Sequence, residues 1–192
     1  RLESFRLSKS QPAAVAEAVF AKVNYGPNNI LGISQNGTEE TVKNITLADI
    51  ENYYRNNMTS QNAKVVIVGD IKQAEALQKL TFLNKLPNKK VVVPKANAAP
   101  PVDKTKVYMV DIPKGAQTEF RLGYSTGLKW DATGDYYKAN LANYALGGDF
   151  NSRLNLNLRE DKGWTYGASS FFSGNDVTGE FRFSSGIRAD AT

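Results

Sequence analysis

The sequence predicts an α+β fold, a mainly antiparallel sheet with helices packed on one face. Three observations lead there. Residues 118–126 alternate apolar and polar side chains, the period of a half-buried strand. Residues 12–25 and 134–146 instead repeat apolar side chains every three or four positions, the period of a helix. Helical and strand segments follow one another without a regular strand–helix alternation, which points away from a parallel sheet. At 192 residues and 41% hydrophobic, the chain can build a real core, as one larger domain or two small ones.

Ser10-Gln11-Pro12 reads as a helix start, with proline at an early helical position. Val15, Val19 and Val23 recur along the helix, and Tyr25-Gly26-Pro27 ends it. "NNILGISQNG" is a loop, and Thr38-Glu39-Glu40 opens a short helical turn. Thr46 followed by Asp49 forms a capping box for a helix carrying the apolar stripe Leu47, Ile50, Tyr54 and Met58. "AKVVIVGD" (63–70) is a continuous β-branched run and reads as a strand covered on both faces. Ala74, Leu77 and Leu80 mark the next helix.

Residues 87–104, "PNKKVVVPKANAAPPVDK", hold four of the seven prolines and four lysines. They read as an extended connector with a short edge strand at Val91–Val93. On that basis 1–86 is a helical segment with one strand, and 105–192 is a second α+β segment. The same pattern also fits a single domain truncated at both ends. Strands are expected at 106–112 and 118–126, a helix at 134–146 ended by Gly147-Gly148, and a hairpin turning at Gly174-Asn175-Asp176. Phe181 and Phe183 share one face of that hairpin.

The composition excludes several chemistries. The chain contains no histidine and no cysteine. Catalytic zinc normally needs at least one of the two, and histidine-based triads need the first. The formal net charge is +5. All of the excess lies in residues 1–100, with 13 Lys+Arg against 8 Asp+Glu, whereas 101–192 carry 11 of each. The lysines are scattered rather than gathered into a basic–aromatic stripe, so no nucleic-acid partner is expected. No stretch approaches the roughly 18 apolar residues of a membrane span.

"RLNLNLREDKGWTYG" (153–167) fits two periods. Leu154, Leu156 and Leu158 alternate like a strand, while Phe150, Leu154 and Leu158 fall four apart like one helix face. The helix reading prevails. Gly147-Gly148 breaks the chain before it, Asn151 or Ser152 can cap it, and Lys162-Gly163 stops it. Arg159 then lies on the last turn and Tyr166 at the start of the next strand. A backbone reversal between them can bring a rigid fork of donors and a phenol hydroxyl to one rim. Such a pair could hold an extended peptide backbone or a developing oxyanion. By spacing alone, a solvated arginine and a packing tyrosine with a wet tip are the commoner outcome.

The segment "GGDFNSRLNLNLREDKGWTYGASSFFSG" (147–174) resembles the second-subdomain signature of the pitrilysin/insulinase-type zinc peptidases, a group that includes the mitochondrial processing peptidases. In that signature a Leu-Arg-Glu run leads through Lys/Arg-Gly-x-x-Tyr into a strand. "GTEETVKNITLADIENYYRNNMTSQNAKVVIVGD" (37–70) resembles the family's Gly-Thr-Glu-Glu helix and the strand after it. The resemblance implies a two-layer sandwich of the metallohydrolase-like type in a clamshell of two related halves. One half carries zinc on His-x-x-Glu-His. An arginine and a tyrosine of the metal-free half hold substrate, and Arg159 and Tyr166 match that pair.

The resemblance also implies a role: a non-catalytic, chamber-closing part of a zinc metalloendopeptidase that binds peptide or unfolded protein. The chain itself would hold no cofactor and, alone, should be inactive. Zinc is expected in a catalytic half supplied in cis or by a partner subunit. The alternative is a structural or scaffold subunit of the same family. The metal motif is absent, and Met58-Thr59-Ser60 stands where relatives have Tyr-Thr-Pro. These departures, with a start in mid-domain, suggest the end of one subdomain joined to most of the next, or a segment downstream of the metal motif in the catalytic half.

Overall fold

A computed structural model describes residues 1–113 and 115–192. The chain divides into two compact units, one of residues 1–38 with 95–192 and one of residues 39–94.

In the first unit, helices α1 (Leu2–Lys9) and α2 (Pro12–Tyr25) precede three strands, β1 (Gln117–Ser125), β2 (Thr165–Gly174) and β3 (Gly179–Arg188). The sheet is antiparallel in the order β1-β3-β2, so β3 is central. Pro12 sits at the start of α2, where its missing N–H costs nothing. Gly26 ends that helix at φ 88°, a conformation open to glycine at little cost. Asn175 turns β2 into β3, its side-chain oxygen accepting from the N–H groups of Val177 (2.8 Å) and Thr178 (3.0 Å).

Helix α2 packs on β1 and β3 through a charged layer. Buried Glu180 accepts from the Tyr25 hydroxyl (2.8 Å) and from Asn24 (3.2 Å). Arg182 pairs with Glu17 and Glu180, and its guanidinium lies over the rings of Phe20 and Phe171. Gly123 admits this packing. A Cβ there would stand 2.2 Å from the Phe181 carbonyl oxygen and 2.9 Å from the Phe20 ring. Burial, then the bond to the Glu180 carboxylate, holds the Tyr25 phenol above its ordinary range. Tyr25→Phe is expected to cost about 1–2 kcal/mol, because a buried carboxylate loses a donor. Urea unfolding measures the shift.

The other side of the sheet carries an aromatic row. Phe172 and Phe181 stand 5.0 Å apart, and the pairs Tyr124–Phe181 and Phe120–Phe183 are each 6.0 Å apart between ring centroids. Helix α6 (Asp135–Asn143) and helix α7 (Arg153–Asn155) flank β2 on this side.

In the second unit, α3 (Glu39–Lys43), α4 (Leu47–Asn57) and α5 (Gln73–Lys79) are joined by extended chain. The expected capping box is present. Thr46 Oγ1 accepts from the Asp49 N–H at 3.2 Å, and Asp49 accepts from the Thr46 N–H at 2.8 Å. Thr46→Ala is expected to remove about 1 kcal/mol of helix stability, read as lost ellipticity at 222 nm on heating. The bonds from Thr46 hold the Asp49 carboxyl below the usual carboxylate range. Its stabilisation is therefore present above that range and is lost as pH falls through the lowered value.

Several expected features differ. Among the described residues, strands occur only in the three segments above, so 63–70, Val91–Val93 and 106–112 are not ladder-paired. A β-branched or alternating run favours extended backbone, but a ladder needs a neighbouring strand, and no described segment supplies one. Val66 and Val68 are accordingly 86% and 93% exposed. The α4 stripe forms as a helix face, yet Leu47, Ile50, Tyr54 and Met58 stay exposed because nothing in this unit packs over them.

Candidate peptide-binding site

The site lies where the α6–α7 segment meets strand β2. Helix α6 widens into a π-helical turn, Tyr144–Gly148, that presses against the strand. A Cβ on Gly147 would fall 2.3 Å from Ser170 Oγ and 2.6 Å from Ser170 N, so only glycine allows this approach. Buried Asn143 completes the contact. Its amide donates to the Ser170 carbonyl (2.6 Å) and accepts from the Ser170 hydroxyl (2.6 Å).

Ser152 holds the N-cap position of α7 as expected, but through its backbone rather than its hydroxyl. The Asp149 side chain accepts from the Asn151 N–H at 3.0 Å, and the Ser152 N–H donates to the Asp149 carbonyl at 3.1 Å. The Ser152 hydroxyl is buried and makes no cap bond. Asp149 also accepts from the Tyr144 hydroxyl at 2.8 Å. The Asn151 backbone bond, then that hydroxyl, lowers the Asp149 pKa and keeps the group ionised.

Helix α7 continues as a π-helical segment, Leu156–Asp161. The Lys162 N–H reaches the Asn157 carbonyl, five residues back (3.1 Å). Gly163, at φ 60°, then reverses the chain, with bonds from Gly163 N–H to Arg159 O and from Trp164 N–H to Leu158 O. This is a Schellman-type closure widened by one residue. The reversal expected at Lys162-Gly163 is therefore present.

Leu154 and Leu158 are half-buried, but Phe150, expected in the same buried stripe, is 61% exposed. It lies before the helix begins, so helical spacing does not govern it. Its ring sits instead 4.3 Å from the Arg159 guanidinium, measured to the centroid. Arg159 also pairs with Glu160 at 2.7 Å, which leaves donors of its fork available. Tyr166 is 89% exposed.

A groove of about 530 Å³ runs between the two walls. Gly148 and Phe150 line one wall, and Tyr166, Gly167 and Ala168 the other, with Asn155 between them. Tyr166 thus lines the groove directly, and Arg159 adjoins it through Phe150. Strand β2 is an edge strand among the described residues. Beside the groove its Ala168 N–H and Ser170 carbonyl are already bonded to Asn155 and Asn143, so a chain lying there would be held by side chains rather than by ladder pairing. A guanidinium already facing one carboxylate is suited to neutral carbonyls more than to a further anion. Sequence reasoning missed Phe150 as a groove residue, and it missed Asn155. The one signal for Asn155 was a polar side chain set between Leu154 and Leu156.

The donor set does not fit zinc. There is no histidine or cysteine, and among the described residues no three carboxylates converge. No chemical step is therefore routed through a metal on this chain. No described helix is long and apolar enough to cross a membrane.

Comparison with known proteins gives the family. The sequence model of the peptidase M16 inactive domain matches residues 44–192. An uncharacterized zinc protease of Streptomyces coelicolor is 26% identical over 193 residues, covering 97% of this chain and 41% of that protein. The uncharacterized zinc protease YmxG of Bacillus subtilis is 23% identical over 190 residues, covering 98% of this chain and 44% of that protein. The chain thus spans less than half the length of these curated relatives. The crystal structure of a peptidase M16 inactive domain from Pseudomonas fluorescens superposes with a TM-score of 0.86 at 26% identity, covering 98% of this chain and 45% of that one. With the matched signature spanning most of its length, the chain belongs to the peptidase M16 inactive domain family.

Proposed function

We propose that this domain binds extended polypeptide and helps close the chamber of a zinc metalloendopeptidase whose metal is held by another half, in cis or as a partner subunit. The observation that carries the reading is the groove beside edge strand β2, with Tyr166 on one wall and Phe150 under Arg159 on the other. The Arg159 fork would take substrate carbonyls. The Tyr166 hydroxyl would donate to the reacting carbonyl, whose oxygen gains charge in the transition state. Donors aimed at main-chain carbonyls would hold the chain without reading its side chains, which suits peptide or unfolded protein as substrate.

Fluorescence anisotropy of labelled casein, a protein without a stable fold, tests the binding half of this reading. The intact chain should raise the anisotropy, and Arg159→Ala with Tyr166→Ala should abolish the rise. Equal binding by the double variant would remove the site assignment. The second reading, a scaffold subunit, draws on the exposed Leu47, Ile50 and Tyr54 of α4, an apolar face suited to subunit contact. Casein binding that survives loss of both groove residues, together with assembly that depends on α4, would favour it.

A further inference from the structure

One buried side chain joins the two walls of the groove. Asn155 is only 3% exposed. Its Nδ2 donates to the Phe150 carbonyl at 2.7 Å, and its Oδ1 accepts from the Ala168 N–H at 3.0 Å. Phe150 carries the Arg159 guanidinium, and Ala168 lies two residues beyond Tyr166. The carboxamide is suited to this task because it offers a donor and an acceptor from one rigid plane. A carboxylate would present only acceptors, and an aliphatic side chain would leave both backbone groups without this partner.

The strand at this point is irregular. Thr165 pairs with Ile187 and Ala168 with Ser185, so β2 holds one residue more than β3 between those pairs. In a regular strand, Thr165 and Ala168, three residues apart, would face opposite sides of the sheet. With it, Thr165 and Ala168 are both buried while Tyr166 between them is expelled. The displaced backbone of Gly167 is satisfied from the protein side. Its N–H donates to Thr165 Oγ1 (3.1 Å), and its carbonyl accepts from the Thr165 and Ser185 hydroxyls (2.9 and 3.0 Å). Thr165 and Ser185 are themselves buried. Burying polar side chains is costly unless they are bonded, and their bonds here serve the bulge.

We propose that Asn155 is a positioning residue for the substrate grip. It fixes the spacing between the Phe150–Arg159 wall and the Tyr166 bulge, with Thr165 and Ser185 holding the bulge from beneath. The proposal rests on the peptide-binding reading above, and its test separates the two. In Asn155→Ala, amide exchange followed by NMR should accelerate at Ala168 relative to Ser184 in the central strand. Casein binding should weaken roughly tenfold, as for the loss of one or two hydrogen bonds. In a Tyr166→Ala background the same substitution should add nothing, because its effect acts through Tyr166.

Unchanged exchange at Ala168 would overturn the latch. A binding loss that adds to that of Tyr166→Ala would overturn the positioning role and leave a general stability effect. If Arg159→Ala and Tyr166→Ala both leave casein binding intact, the peptide-binding reading falls and takes the role with it, while Ala168 exchange still judges the latch. Should Asn155→Ala fail to fold, Asn155→Leu carries the same comparisons, since it is close in shape and has neither the acceptor for Ala168 nor the donor to Phe150.

Discussion

Under the proposed function, Tyr166→Phe is expected to lower kcat of the assembled zinc protease by about a hundredfold while KM changes by less than about threefold. The phenol is 89% exposed at the groove, so removing its hydroxyl disturbs no packing. A group that donates mainly to the charge developing in the transition state affects turnover more than ground-state binding. Arg159→Ala should behave differently. Its fork would hold ground-state carbonyls, so its loss should raise KM. Its loss also uncovers the Phe150 ring, now stacked at 4.3 Å. Steady-state kinetics on an unstructured peptide separates the two patterns. Unchanged kinetics in both variants would remove Arg159 and Tyr166 from the site.

A large effect on stability is expected at Gly147. Alanine there places a methyl group 2.3 Å from Ser170 Oγ, 2.6 Å from Ser170 N and 2.8 Å from Leu154 Cδ1. Two of these neighbours, a strand nitrogen and a buried hydroxyl already bonded to Asn143, cannot withdraw cheaply. The π-helical turn must move off β2, and the Asn143–Ser170 pair must open. Overpacking of this kind costs about 3 kcal/mol, a fall in the thermal midpoint of roughly 6–12 °C. Gly148→Ala is the control. Its nearest neighbours, the Asn143 side-chain amide nitrogen and backbone carbonyl, lie at 3.3 Å, a tight contact rather than a clash, so a smaller loss is expected. Differential scanning calorimetry of the two variants distinguishes a local clash from a general intolerance of the turn.

Local signals carried far in this chain. Proline at the head of α2, the Thr46–Asp49 box, the Asn175 turn and the Lys162-Gly163 reversal were all legible, because each is written within a few residues. The strand readings at 63–70 and 106–112 failed because pairing depends on a partner that a local pattern does not reveal. The helix stop between Arg159 and Tyr166 was legible at Lys162-Gly163. Phe150 was misread because helical spacing was extended past the true helix start. The bulge at Tyr166-Gly167 left no trace in sequence, since it is held by hydrogen bonds from Asn155 and Ser185, 11 and 19 residues from Tyr166.

The claim that Tyr166 meets substrate is tested most directly by placing a photoreactive benzoylphenylalanine at that position and irradiating the chain with labelled casein. The account predicts a covalent adduct that excess unlabelled casein suppresses, and little adduct from the same probe at Tyr124, an exposed aromatic on the same sheet. No adduct at position 166, or equal capture at position 124, would contradict it.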